Sequence, residues 1–202
     1  MKNLPWRNEK DPYRILIAEV MLQRTKVEQV LPVYEKFIIR FPNFESLARS
    51  SEPEIRKFMN RLGLYWRTKL ILKMAKKIIR DFNGKLPSER EMLFTIPGIG
   101  DYIAEMIIIL AFRGKGIAID SNVVRLITRF FGIETKGELR RRKNFINFCQ
   151  ELNRRMSSDE VRNFNLAIID FPSMICKPKP LCNVCPLASR CIYFNDMMNL
   201  HE

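Results

Sequence analysis

The chain has 202 residues, 47% of them hydrophobic, and a formal charge of +13 at pH 7. That is enough apolar material for a packed core, while the longest apolar run, 106–112, falls far short of the roughly 20 residues a membrane-spanning helix needs. No signal-like segment follows Met1-Lys2-Asn3-Leu4-Pro5-Trp6-Arg7, so a soluble, cytoplasmic protein is expected, its charge pointing to a polyanion such as nucleic acid and its cysteines to ligands or free thiols.

Helical periodicity recurs along the chain, and strand signals are scarce. Ile15, Ala18, Met21 and Leu22 share one helical face. Leu70, Met74, Ala75 and Ile78 share another, which leaves Lys69, Lys73, Lys76 and Lys77 on the wet side. Ser88-Glu89-Arg90-Glu91 has the spacing of a capping box, with helix expected through Met92-Leu93-Phe94. Ile96-Pro97-Gly98-Ile99-Gly100 separates that helix from 102–112, which is apolar nearly all round and is expected to run through the core. Gly98 and Gly100 allow backbone geometry closed to other residues, and such a turn presents N–H groups at a helix start, where a phosphate can bind. Ile119-Asp120-Ser121-Asn122 opens a further helix, with Asp120 in the position of an N-cap.

Four of the five cysteines, Cys176, Cys182, Cys185 and Cys191, are spaced C-x5-C-x2-C-x5-C. Four thiolates in one short loop suit a 4Fe–4S cluster, which is larger than one ion; a zinc ion remains the alternative. Cys149 reads as a small buried hydrophobe and His201, at the chain end, is not expected as a ligand.

Together the hairpin, an aspartate twenty residues on and the terminal cysteine loop resemble the helix–hairpin–helix DNA glycosylases of the endonuclease III and adenine glycosylase type. The resemblance runs from Leu4-Pro5-Trp6-Arg7 and Asp11-Pro12-Tyr13 through Glu19-Val20-Met21-Leu22-Gln23-Arg24-Thr25 and Ile96-Pro97-Gly98-Ile99-Gly100-Asp101-Tyr102. It ends at Phe164-Asn165-Leu166-Ala167-Ile168-Ile169-Asp170 and the cysteines. The family usually has six residues between its first two cluster cysteines; five here read as a shortened loop with the cluster kept.

The resemblance implies an all-α, two-lobed fold with DNA across the cleft. Residues 11–114 would form a six-helix barrel carrying the hairpin, and 115–202 with 1–10 the iron–sulfur lobe. It assigns Asp120 as the catalytic carboxylate and Glu19 as a general acid on the base, against plain readings as a cap and a solvated glutamate. Tyr102 falls where bifunctional members carry a Schiff-base lysine, so lyase activity is expected to be weak or absent. Gln23 and Arg24 match the stretch inserted when a base is flipped out. Tyr65-Trp66 read as stacking groups or as core.

The compact length and Tyr102 resemble the mismatch thymine glycosylases, favouring thymine or uracil opposite guanine. Adenine opposite guanine or 8-oxoguanine is the alternative, and a non-catalytic helix–hairpin–helix DNA-binding protein the second. The expected partner is double-stranded DNA with a mispaired or damaged base, bound by a monomer associated with the nucleoid.

Overall fold

The computed structural model describes residues 4–199, so Met1, Lys2, Asn3 and His201 lie outside the described residues. The described residues are helices and loops with no strand, and no helix among them is long and apolar enough to cross a membrane. The chain divides into two compact units after Gly114.

The first unit contains α1 (Pro12–Leu22), α2 (Val27–Arg40), α3 (Phe44–Arg49), α4 (Glu52–Met59), α5 (Thr68–Phe82), α6 (Arg90–Phe94) and α7 (Asp101–Leu110). Helix α1 packs against both α2 and α7, so Ile15 to Met21 are buried in one unbroken run. The one-faced helix expected from the sequence is therefore buried on all sides. Helix α5 keeps the expected polarity, with Ile71, Met74, Ala75 and Ile78 inside and Lys69, Lys73 and Lys76 exposed. Helix α7 buries Ile103, Ala104, Met106, Ile107, Ile109 and Leu110, as its composition implied.

The Ser88 capping box does not form. Ser88 Oγ bonds the Glu89 side chain at 2.9 Å, and α6 starts behind Glu89 with no side-chain cap. Reciprocal boxes form instead at Asn43–Ser46, Ser51–Glu54 and Ser157–Glu160. Leu4 and Trp6, expected with the C-terminal lobe, are buried in the first unit, where Trp6 meets Tyr34 edge-on at 5.1 Å.

The second unit contains α8 (Ser121–Phe131), α9 (Lys143–Glu151), α10 (Ser158–Met174) and α11 (Ile192–Asn199). Val123, Leu126 and Ile127 of α8 join Phe145, Cys149 and Ile168 in its core. Cys149 is the small hydrophobe the sequence suggested; burial pushes its thiol up to about 12.

Candidate active site

In the first unit, the hairpin between α6 and α7 needs glycine at one of its two positions. Gly98 has φ +91°, in the left-handed region, and a Cβ there would meet Leu70 Cδ2 at 3.0 Å. Gly100 is extended, with φ −104° and ψ −177°, so the expectation that its backbone demands glycine is not met. A Cβ at Gly100 would point into open space. A glycine there adds no side chain of its own before the first-turn N–H groups of α7, the kind of group an anion can approach. Tyr102, one residue into α7, is half-buried.

Glu19 lies in the middle of α1 and is only 3% exposed, which removes the reading of a solvated glutamate. A carboxylate in such surroundings costs stability unless it is partnered, so its retention points to chemistry or to a buried network. Glu105 on α7 is likewise buried, ion-paired with Arg90, and the sequence had not singled it out.

Gln23 ends α1, and Arg24 follows with φ +61°, one of three non-glycine residues with positive φ among those described. Arg24 is exposed and close enough to Arg67 to help push the pKa of the Arg67 guanidinium below its usual range, burial being the larger cause. Arg67 donates to the Val20 carbonyl at 2.8 Å and stacks on Trp66, its Cζ 4.5 Å from the ring centroid. Tyr65 and Trp66 are 61% and 55% exposed, so they are not core. Arg24, Tyr65 and Trp66 are thus exposed in the first unit around Arg67, and Gln23, next to Arg24, is half-buried.

Asp120 belongs to the second unit and is held by both carboxylate oxygens. Oδ1 accepts the N–H of Asn122 at 2.8 Å and of Val123 at 2.7 Å, the bonds of an N-cap. Oδ2 accepts the Asn122 side-chain amide at 2.9 Å. The capping role is therefore real, and it leaves one oxygen only partly used. Asn122 cannot turn its amide over freely, because Arg125, which has only donors, donates to its Oδ1 at 3.0 Å. Arg125 also donates to the carbonyls of Cys176, at 2.9 Å, and Pro172, at 3.4 Å. A continuous chain of hydrogen bonds links the Asp120 carboxylate to the first cysteine of the loop.

The four cysteines are half-buried, free thiols around one apolar recess, also lined by Leu126, Phe130, Phe171 and Tyr193. Burial raises the Cys182 thiol, and Cys185, Cys191 and Cys176 raise it further, so all four share one electrostatic neighbourhood. No three Cys, His, Asp or Glu side chains among the described residues are placed to hold one metal ion. Arg129 clamps the loop, donating to the carbonyls of Lys177 at 2.6 Å and Pro178 at 2.9 Å, with Cys176 Sγ at 3.7 Å. Sequence reasoning missed Arg125 and Arg129 because their partners lie about fifty residues away. Asn122 could have been found from its place two residues after a capping aspartate.

Residues 17–152 match the HhH-GPD superfamily of base excision DNA repair proteins. A thymine-DNA glycosylase of Aeropyrum pernix is 36% identical over 200 residues, covering 96% of this chain and 88% of the relative. An adenine DNA glycosylase of Buchnera aphidicola subsp. Baizongia pistaciae is 35% identical over 199 residues, but this chain spans 56% of its length. Among solved structures, a thermostable thymine-DNA glycosylase superposes with a TM-score of 0.89 at 33% identity, covering 96% of this chain and 89% of that one.

Proposed function

The chain belongs to the HhH-GPD superfamily of base excision DNA repair proteins, and from that premise we propose that it is a monofunctional DNA glycosylase that removes thymine or uracil mispaired with guanine. The observation that carries the reading is the Asp120 carboxylate, half-buried and fixed through both oxygens at the start of α8. In hydrolysis, the bond between C1′ and the base nitrogen breaks with its electron pair leaving on the base. Positive charge develops on the sugar, which a fixed carboxylate stabilises. Water then supplies its oxygen to C1′, and Asp120 Oδ2, engaged by one amide only, is the oxygen suited to orient that water. Gln23 and Arg24 would fill the gap left by the extruded nucleotide, and the turn at Gly98 and Gly100 would hold a phosphate.

Tyr102 carries no amine. A phenol cannot form the iminium that precedes strand cleavage, so the product is an intact abasic site. Substrate choice follows from the relatives: this chain spans 88% of the thymine-DNA glycosylase of A. pernix. A second reading, adenine excision, is favoured by the buried Glu19, a group suited to protonate a leaving base, and by the 35% identity to the adenine glycosylase.

The fold also suits a 4Fe–4S cluster at Cys176, Cys182, Cys185 and Cys191. The four half-buried thiols line a common apolar recess, and four thiolates from one short loop suit a cubane, which is larger than one ion; zinc is the alternative. When bound, the cluster would supply ligand-bond energy that ties residues 176–191 into the second unit.

The test is excision on a panel of duplexes bearing T·G, U·G, A·G and A opposite 8-oxoguanine, followed by alkali. The expected result is cleavage of T·G and U·G strands, only after alkali, with no complex trapped by borohydride. Preference for adenine-containing duplexes would move the assignment to the second reading. Binding without any excision would leave a DNA-binding protein.

A further inference from the structure

Residues 113–120 carry no regular secondary structure, yet 116–118 are buried. Backbone amides inside a protein must find partners, and this segment has no neighbouring strand. Side chains supply them. Asn165 of α10, 0% exposed, accepts the Ala118 N–H at 2.9 Å through Oδ1. Through Nδ2 it donates to the Gly116 carbonyl at 3.1 Å and to the Val161 carbonyl at 2.8 Å. Asn153, 2% exposed, donates to the same Gly116 carbonyl at 2.5 Å. The oxygen faces an N–H and the nitrogen faces two carbonyls, so only one orientation of the Asn165 amide satisfies them all. One side chain engages a C=O and the N–H two residues on, the pair a β-strand partner would take.

Asp120 follows Ala118 by two residues. Its cap bonds tie it to α8 but do not decide the direction from which the chain arrives. Apolar packing of Ile117 against Val123, Leu126 and Ile168 holds the segment inside without choosing its register along the chain. The amide of Asn165 does choose it. We propose that Asn165, seconded by Asn153, is a positioning residue for Asp120: it locks the register of 116–118 and so fixes where the carboxylate stands. The proposal rests on the catalytic reading of Asp120, and it gives a task to the Phe164-Asn165 motif that the chemistry of excision left unexplained.

The experiment compares Asn165→Leu, Asn153→Ala, Asp120→Asn and Val161→Ala on whichever panel duplex the protein excises. Val161→Ala opens a cavity in the same helix while keeping the Val161 carbonyl that accepts from Asn165 Nδ2. Three quantities are read for each: single-turnover excision at saturating protein, duplex Kd and thermal midpoint. Asn165→Leu is expected to slow excision about 10- to 100-fold with Kd changed by no more than about 3-fold, since a small misplacement of a reacting group costs rate rather than binding. Val161→Ala should lose thermal stability yet stay within about 2-fold of the wild-type rate. Excision by Asn165→Leu at the rate of Val161→Ala, or parallel loss of rate and binding, would overturn the proposal. Should Asn165→Leu fail to fold, Asn153→Ala decides: a several-fold slower rate at unchanged Kd supports it, and the wild-type rate overturns it. The premise is tested separately. Wild-type excision by Asp120→Asn sinks the catalytic reading itself, whereas an inactive Asp120→Asn beside a fully active Asn165→Leu sinks only the positioning role.

Discussion

The two units of this protein are held together by different physics. The first is built on apolar bulk: Trp6, Phe37, Phe41, Leu47, Ile55, Met59 and Ile71 are among its fully buried large side chains. The second has a smaller core, and in its last third, residues 175–199, none of the described residues is buried. Polar side chains of the second unit reach across the sequence to backbone groups: Arg125 to Cys176, Arg129 to Lys177 and Pro178, Asn165 to Gly116 and Ala118. Burial is non-directional and tolerates small shifts, whereas hydrogen bonds fix position. The candidate catalytic carboxylate and the cysteine loop both belong to the unit whose geometry is set by directional bonds.

If this division is right, damage to the first unit reads out as stability and damage to the second as geometry. The largest effect is expected from Phe37→Ala, which removes a fully buried ring packed against Phe41 and Phe58. It should cost about 3–5 kcal/mol in denaturant unfolding, while the fraction that remains folded excises at the normal rate. A rate loss in that folded fraction would break the comparison. Asp120→Asn is next, and in the opposite sense. Excision should fall about 10²–10³-fold, while stability drops by only about 0.5–1 kcal/mol because Asn still caps α8. The small stability cost has a cause: the new amide puts a donor against the Asn122 amide that Arg125 holds in place. Thermal melting alongside single-turnover excision checks both.

Arg129→Met keeps the aliphatic stem and removes the clamp on the cysteine loop. It should cost the second unit about 1.5–3 kcal/mol, the range for hydrogen bonds to a charged group. Amide exchange should speed up across 176–191, leaving the amides of α1 and α7 unchanged. Equal acceleration in both units would mean that they unfold as one. The smallest effects separate the two hairpin glycines. Gly98→Ala should cost about 1–2 kcal/mol for a left-handed backbone, with the Leu70 contact added. Gly100→Ala should change stability by less than about 0.5 kcal/mol, as expected of a surface position without strain, but weaken duplex binding by covering the start of α7. Loss of stability at Gly100 without loss of binding would remove the hairpin from the DNA interface.

Local chemistry was legible in the sequence wherever a few adjacent residues decide it. The lysine stripe of α5, the apolar α7, the Asp120 cap and the cysteine spacing all depend on periodicity or on bonds within three residues. The capping boxes show the limit of that reading, since Ser88 had the right spacing and the wrong partner. The serine bonded its immediate neighbour, while the reciprocal boxes formed at Asn43, Ser51 and Ser157.

Tertiary structure alone decided the rest. Glu19 is buried because α2 and α7 cover both sides of α1, and no pattern within α1 distinguishes one covered face from two. Gly100 is extended and a Cβ there would meet open space, so its backbone angle does not call for glycine, which depends on where α7 starts relative to the turn. The brackets made by Arg125, Arg129, Asn153 and Asn165 join positions 37 to 51 residues apart. Sequence records that a residue can donate or accept; only the packed chain determines which distant carbonyl or N–H lies within hydrogen-bond reach of it.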